Sequence, residues 1–500
     1  MISRPQTERD NAFHILTLGC SKNRVDSDGM EHLLRQRGMR PTADPDGAEV
    51  VIVNTCGFLG AARQESIDAI QGVMDRRQDG QVVIAAGCMP ALGNHATEIP
   101  AGVDHILSTR EWYRIGEVVG GLLGEPDLPE VAGCEGMLTT FRRSEAGPFA
   151  YVKVADGCDH ACAFCTIPSI KGRQVSKRPL HVLQEVVDLV AGGTREVVLV
   201  AQDTIRYGAD LGMKNGLPAL LESIVEQVPD LAWLRMLYIY PSPLTLKMVD
   251  VMAKHDVLLP YLDMPIQHAD RDVLRSMNRP SDIDMTRRLI AHARESLTDP
   301  VMRTTLIVGY PGETEAQFET LYRFVEEMRF DHVGVFTYSP EEGTKAATLP
   351  DVVPAEVAER RRAAIMELQN GISLAHNGAL VGSTIQVLVE GVGEAEDELG
   401  GTEPISVGRA RRHAPEVDGL VFIPGAHQIG ALLDVRVEEA GPYDLWAADP
   451  LATVAGPVAD GAFGREATRR RVPTGRSRVG SRRGTRGRGR PVPMATPAGT

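Results

Sequence analysis

Cys158, Cys162 and Cys165 stand in the spacing C-x3-C-x2-C within VADGCDHACAFCTIPSIKGR. Thiolates this close in sequence wrap three corners of one iron-sulfur cluster and leave its fourth iron without a protein ligand. An open iron can take up a small-molecule ligand and pass it an electron. A structural zinc site closes four ligands instead, and here it would have to borrow His160 or a distant cysteine. Cys20, Cys56 and Cys88 follow the apolar runs FHILTLG, VVIVNT and VVIAAG at intervals of 36 and 32 residues. Singly, each reads as a small buried hydrophobe at a strand end. Jointly, three cysteines at equivalent ends of consecutive strands point to a second three-thiolate cluster, whose open iron has room for an extra sulfur atom. Cys134, in GCEGMLTT, matches no ligand pattern and reads as a free thiol without a catalytic role. His160, and His268 in PIQHAD, read as packing or hydrogen-bonding residues.

The elements that must position these cysteines follow from periodicity. At 500 residues the chain has material for about three domains. Strand-like runs at residues 13–19, 50–55 and 82–87 alternate with helical patterns, one over residues 61–77 and one in which Asp28 and Glu31 are spaced as a capping box. That alternation predicts a parallel sheet, α/β in class, whose strand carboxyl ends share one edge, so the three cysteines converge there. A second βα series predicts strands at residues 149–155, 196–203, 231–240, 261–267, 301–309 and 332–339, a complete or partial (β/α)6 barrel with its chemistry at the strand carboxyl ends. After a charged helical stretch, short alternating strands broken by glycine predict a small all-β barrel or sandwich. The expected domains are residues 13–130, 145–377 and 378–447, followed by an Arg/Gly-rich tail, 450–500, that reads as disordered.

Charge is unevenly distributed. The net charge is −14, yet the last forty residues hold eleven Arg and one Glu, so the body is strongly acidic; residues 381–448 alone hold 12 acidic and 4 basic side chains. An acidic body repels phosphates and attracts basic partners. The tail reads as a solvated extension or as an arm contacting RNA. No stretch approaches the roughly 18 to 20 apolar residues of a membrane span, and the polar start MISRPQTERD has no apolar signal region. The expected location is the cytoplasm, without a membrane partner. Seven cysteines in a reducing compartment suit metal or catalysis better than disulfides.

The C-x3-C-x2-C run at the head of a β/α barrel resembles the radical S-adenosylmethionine enzymes. The resemblance implies an open iron that binds the methionine end of S-adenosylmethionine. One electron then cleaves the sulfonium, and the 5′-deoxyadenosyl radical so formed abstracts hydrogen from an unactivated carbon. TLGCSKNRVDSD, VNTCGF and AAGC are similar to the N-terminal domain of methylthiotransferases, which holds an auxiliary 4Fe-4S cluster through three cysteines. The likeness covers about residues 13 to 447 and ends in a barrel similar to the TRAM domain. NTCGFLGAARQESIDAI, CAFCTIPSIKGRQVSKRP, LDMPIQHAD and APEVDG resemble the RimO branch, which methylthiolates the β-carbon of an aspartate in small-subunit ribosomal protein twelve; the other branch acts on tRNA adenosine. Ser21, where this family commonly has Pro, and the tail depart from the pattern. A noncatalytic iron-sulfur or zinc protein that binds RNA is the reading from a different class.

The resemblance implies two 4Fe-4S clusters, S-adenosylmethionine, the ribosomal protein free or within a ribosome or assembly intermediate, a protein reductant and a sulfur donor. Gly192, Gly193, Thr194 and Glu196 stand in a position similar to the glycine-containing segment that holds the cofactor's methionine end, or simply end a helix before a strand. Ile307 and Gly309, in TLIVGYPGETE, resemble the strand that contacts adenine and ribose, or belong to a buried strand before a Pro-Gly turn.

Overall fold

The computed structural model describes residues 11–93, 95–125, 136–138, 140–143, 147–396, 402–448 and 452–453. Cys134 and the tail beyond Thr453 lie outside the described residues.

The first apolar runs are rich in β-branched residues and buried on both faces, which suits parallel strands. Strands β1 (Ala12–Thr17), β2 (Arg40–Pro41), β3 (Val50–Thr55), β4 (Val82–Gly87) and β5 (His105–Ser108) form one parallel sheet in the order β2-β1-β3-β4-β5. Alternation along β3 divides its side chains. Val50 and Ile52 pack with Val25 and Leu33 of the helix Ser21–Gln36, while Val51 and Val53 pack with Ile70 and Val73 of the helix Gly60–Met74. Asp28 and Glu31 do not cap a helix. The helix already begins at Ser21 with Cys20 as its N-cap, and Asp28 lies in its interior, where it accepts a hydrogen bond from Arg143 at 2.9 Å.

The second unit is a six-stranded partial barrel of parallel strands. Strand β6 (Phe149–Lys153) leads into a two-residue ribbon, β7 (Ala155–Asp156) with β8 (Val175–Ser176), that frames the cysteine loop. Then β9 (Glu196–Val200) and β10 (Trp233–Met236) pair with β6 in the order β10-β9-β6, and β11 (Tyr261–Asp263), β12 (Val301–Val308) and β13 (His332–Thr337) form the other half. A Leu234–Leu258 bridge and the Ile239 amide donating to the Asp263 carbonyl at 2.8 Å join the halves. Several of these strands stop sooner than the apolar runs suggest. The runs at β10 and β11 are cut by Tyr238 and Gln267, which adopt left-handed φ values of 62° and 72°.

The third unit is a closed barrel. Strands β14 (Thr384–Glu396), β15 (Thr402–Ala410), β16 (Val421–Pro424), β17 (Leu432–Ala440), β18 (Leu445–Ala447) and β19 (Ala452–Thr453) run in the order β14-β15-β16-β18-β17-β19, and β14 also pairs with β17 to close the ring. Arg409, near the end of β15, inserts into the amino end of the six-stranded barrel. There it donates to Glu196 and Glu390, while Arg235 donates to the other Glu196 oxygen at 2.7 Å. Burial works to raise the Glu196 pKa, but Arg409 and Arg235 outweigh it and hold the carboxyl below its ordinary value. Tyr261 also donates to Asp418 at 2.6 Å across this junction.

This placement corrects one expectation. Glu196 opens β9 in register with Phe149 at the start of β6, so it lies at the barrel end opposite Cys158, which follows the carboxyl end of that strand. Gly192 and Gly193 end the helix Pro179–Ala191. The Gly193 amide donates to Val190, the Thr194 amide donates to Leu189, and Gly193 has φ +101°, a Schellman ending that favours glycine. The residues thus terminate a helix and anchor the third unit.

Replacing Arg409 with Met leaves Glu196 short of a partner and should cost about 3–5 kcal/mol, as removal of one member of a buried ion pair does. Denaturant unfolding should show a lower midpoint and earlier proteolysis between the second and third units; an unchanged midpoint would contradict the buried role.

Candidate functional site

Cys20, Cys56 and Cys88 leave the carboxyl ends of β1, β3 and β4, and Asn23 knits the three exits together. Its side-chain amide donates to the Leu18 carbonyl at 3.0 Å and the Thr55 carbonyl at 2.9 Å, while its Oδ1 accepts from the Cys88 thiol at 3.3 Å. Gly19 is required where the chains meet. Its φ is +86°, and a Cβ there would stand 2.9 Å from the Cys56 Cβ. The Cys88 amide donates to the Thr55 carbonyl at 2.9 Å, and the Cys56 amide donates to Ser66 at 3.1 Å.

The loop carrying Cys158, Cys162 and Cys165 is pinned on several sides. Gly157, at φ +80°, passes so close to the Arg173 carbonyl that a Cβ would stand 2.1 Å from it. The Cys158 amide donates to the Gly172 carbonyl at 3.0 Å, the Ala163 amide donates to the Met277 carbonyl at 2.9 Å, and Asn278 donates to the Ala161 carbonyl at 2.8 Å. Arg279 reaches within 3.8 Å of the Cys162 sulfur and lies 4.1 Å from the centroid of the Tyr240 ring. His160 stacks on the other side of this group, 4.1 Å from Tyr240 by ring centroids, and shares a 2.7 Å hydrogen bond with Asp203. Its Nε2 is therefore committed to Asp203. A cavity of about 360 Å³ opens beside Tyr240 and Arg279, with His268 and Thr286 among its walls.

A buried knot of charge joins the two cysteine groups. Lys153 donates to Asp26 and, at 2.7 Å, to Asp156; Lys171 donates to Asp26 at 3.1 Å, to Asp156 at 3.3 Å and to Thr109 at 2.6 Å. All four charged side chains are at most 2 % exposed. Burial alone raises the Asp156 pKa, but Lys153 and Lys171 hold its carboxyl well below the usual range. Asp26 belongs to the helix that starts after Cys20, Asp156 stands two residues before Cys158, and Lys171 ends the short helix Ile167–Lys171 behind Cys165. A second clasp lies nearby. Glu341, from the loop after β13, accepts from the Gly60 amide at 2.9 Å and from Arg63 at 2.6 Å, which caps the helix following Cys56.

Cys20, Cys56, Cys88, Cys158, Cys162 and Cys165 are all free thiols, the donor type that iron-sulfur clusters take. A cofactor's amino group would meet acceptors at the carboxyl end of β9, where Gln202 Oε1 and Asp203 Oδ1 are buried without hydrogen-bond partners among the described residues. These two residues, and not Glu196, occupy the strand end beside the cysteine loop. Ile307 packs with Ala163 and Phe164 of that loop. Gly309 (φ +74°) sits where a Cβ would approach Ala358 to 2.5 Å, and its amide donates to Glu313, so a turn and a helix contact account for it. His268 is buried; its Nδ1 accepts from the Asp270 amide at 3.0 Å, which puts the proton on Nε2 facing Glu313. Sequence spacing missed Asn23, Asp26, Lys171, Asp203 and Glu341. Only Lys153, a charge inside the apolar run FAYVKVA, carried a local signal.

Residues 12–108 match the uncharacterized protein family UPF0004, residues 152–325 the radical SAM superfamily and residues 381–448 the TRAM domain. The chain is 46 % identical to a protein of Roseiflexus sp. (strain RS-1) named ribosomal protein uS12 methylthiotransferase RimO, over 87 % of this chain and 96 % of that one. It is 44 % identical to a protein of the same name from Chloroflexus aurantiacus, over 87 % and 98 % of the two chains. Among solved structures, the radical S-adenosylmethionine methyltransferase TsrM of Kitasatospora setae is similar with a TM-score of 0.49 at 14 % identity, over 66 % of this chain and 76 % of that one.

Burial pushes the thiols of Cys56 and Cys158 up to about 11 and those of Cys88 and Cys165 up to about 12. The metal-free fold thus holds these protons more tightly than the unfolded chain does. That stability is present below the ordinary thiol pKa and is lost as pH climbs toward the raised values. The unfolding temperature of metal-free protein should fall as pH rises from about 8.5 to 10, and Cys88→Ala should flatten the fall; a temperature independent of pH would contradict the burial.

Proposed function

The chain belongs to the family of ribosomal protein uS12 methylthiotransferases named RimO, and on that premise we propose that it replaces a hydrogen on the β-carbon of a uS12 aspartate with a methylthio group. The observation that carries the reading is the meeting of two cysteine triads at one barrel mouth. Tyr238, two residues before Tyr240, touches Lys22 beside Cys20, while Tyr240 touches His160 and Arg279 beside the other triad. Tyr238 and Tyr240 thus link the surroundings of the two triads.

In this reading Cys158, Cys162 and Cys165 hold one 4Fe-4S cluster and Cys20, Cys56 and Cys88 hold a second, auxiliary one. When bound, the first cluster and S-adenosylmethionine supply one-electron cleavage of the sulfonium and the radical that abstracts hydrogen, and the second supplies sulfur for transfer. Gln202 and Asp203 would hold the amino group of the cofactor through their unpaired oxygens, and Ile307 would stand beside it against the cysteine loop. His160, fixed by Asp203 and Tyr240, keeps the cysteine loop in one conformation. An electron-donor protein and a sulfur donor complete the turnover.

The third unit supports a protein substrate over tRNA. Of its four arginines, Arg409 binds Glu196, Arg411 donates to the Asp256 carbonyl at 2.6 Å and Arg412 donates to Asp331 at 2.9 Å, so these cations are committed to docking on the barrel. Its acidic side chains outnumber what remains, which opposes a polyanion and favours a basic partner.

Cys158→Ala should abolish formation of 5′-deoxyadenosine in reconstituted enzyme. Cys56→Ala should keep that cleavage and lose methylthiolation, as read by chromatography and mass spectrometry of the same reactions. Cleavage that survives Cys158→Ala, or methylthiolation that survives Cys56→Ala, would overturn the assignment of the two triads.

A further inference from the structure

Lys22, Lys153, Lys171 and Lys177 are the buried lysines among the described residues. Three have carboxylate partners: Lys153 and Lys171 share Asp26 and Asp156, and Lys177 donates to Glu185 at 2.6 Å. Lys22 is only 8 % exposed, and no carboxylate oxygen of the described residues lies within 4.0 Å of its ammonium. The groups that face it are the Tyr238 ring and Cys20 rather than a carboxylate. The nearest carboxylate acting on it, that of Asp263, is already committed, accepting from the Tyr238 amide at 3.0 Å and from Arg303 at 2.9 Å.

The surroundings hold the ammonium in place. Its Nζ sits 3.2 Å from the centroid of the Tyr238 ring. Tyr238 adopts φ 62°, a strained conformation for an aromatic residue, and is kept there by Asp263 on its amide and by the Thr204 amide donating to its carbonyl at 3.0 Å. Lys22 is also two residues from Cys20 in the chain.

We infer that Lys22 binds the side-chain carboxylate of the substrate and so selects an aspartate. The inference rests on the proposed function and deepens it. The β-carbon to be modified is bonded directly to the carboxylate carbon. A cation beside Cys20 that grips the carboxylate therefore sets the β-carbon against the auxiliary triad, where sulfur is delivered. The substrate carboxylate gives Lys22 the carboxylate partner that the other buried lysines have in Asp and Glu.

The test uses cluster-reconstituted enzyme, fluorescently labelled uS12 and a uS12 variant with Asn in place of the modified aspartate, with binding followed by anisotropy without oxygen. Unsubstituted enzyme should bind the Asp form about tenfold or more tightly than the Asn form. Lys22→Met should weaken binding of the Asp form to the level of the Asn form and leave the Asn form's affinity alone, while Lys22→Arg should restore part of the preference. Iron and sulfide content and the electron paramagnetic resonance spectrum of Lys22→Met should match the unsubstituted enzyme, which separates a substrate contact from support of the cluster. Equal weakening of both forms, no preference in the unsubstituted enzyme, or loss of cluster iron in Lys22→Met overturns the inference. Mass spectrometry of the unsubstituted enzyme's products reads the proposed function independently: with no methylthio group on uS12, that function fails and the role of Lys22 falls with it.

Discussion

Four charges with no access to water, Asp26, Asp156, Lys153 and Lys171, set the relation between the first two units. Each alone would be intolerable at that depth, and only the closed arrangement compensates them. Because Asp26 comes from the N-terminal sheet unit and the other three from the barrel and its cysteine loop, the compensation exists only when the two units dock in one register. A hydrophobic contact would tolerate sliding by a fraction of a side chain. A buried ion network tolerates little, so it fixes the placement of the two cysteine groups relative to each other.

The barrel between them acts as a rigid spacer closed at both ends. One apolar cluster runs from Phe13 and Val25 in the first unit, through Tyr151, Val198 and Trp233 inside the barrel, to Leu388 and Ala414 in the third. Ion pairs sit at each end of that column: the lysine-aspartate knot near the mouth, and Arg409 with Glu196 and Arg235 at the base. The third unit therefore does more than append a binding surface. It stoppers the barrel, and in doing so consumes the cations that would otherwise face a nucleic acid.

What the sequence made legible was local or strictly periodic. The strands before Cys56 and Cys88 were readable to the residue because short apolar runs there bury both faces, and the spacing of Cys158, Cys162 and Cys165 is a local pattern visible without a fold. The errors arose where a local pattern had two uses. Gly192 and Gly193 satisfy a helix ending as well as a ligand loop, and only register revealed that Glu196 faces the wrong end. Asp28 and Glu31 have capping spacing, yet the helix starts a turn and more earlier, behind a cysteine that no capping rule favours. Asp26 and Lys153 are 127 residues apart, and Lys22 meets Tyr238 across more than two hundred; such pairs leave no trace in spacing.

The most direct measurement is anaerobic turnover of the reconstituted enzyme with S-adenosylmethionine, reductant and sulfide, offered uS12 and unmodified tRNA side by side, with products read by mass spectrometry. The account predicts a methylthio mass gain on one aspartate of uS12 and none on tRNA. A methylthio group on tRNA adenosine, with uS12 unchanged, would contradict it.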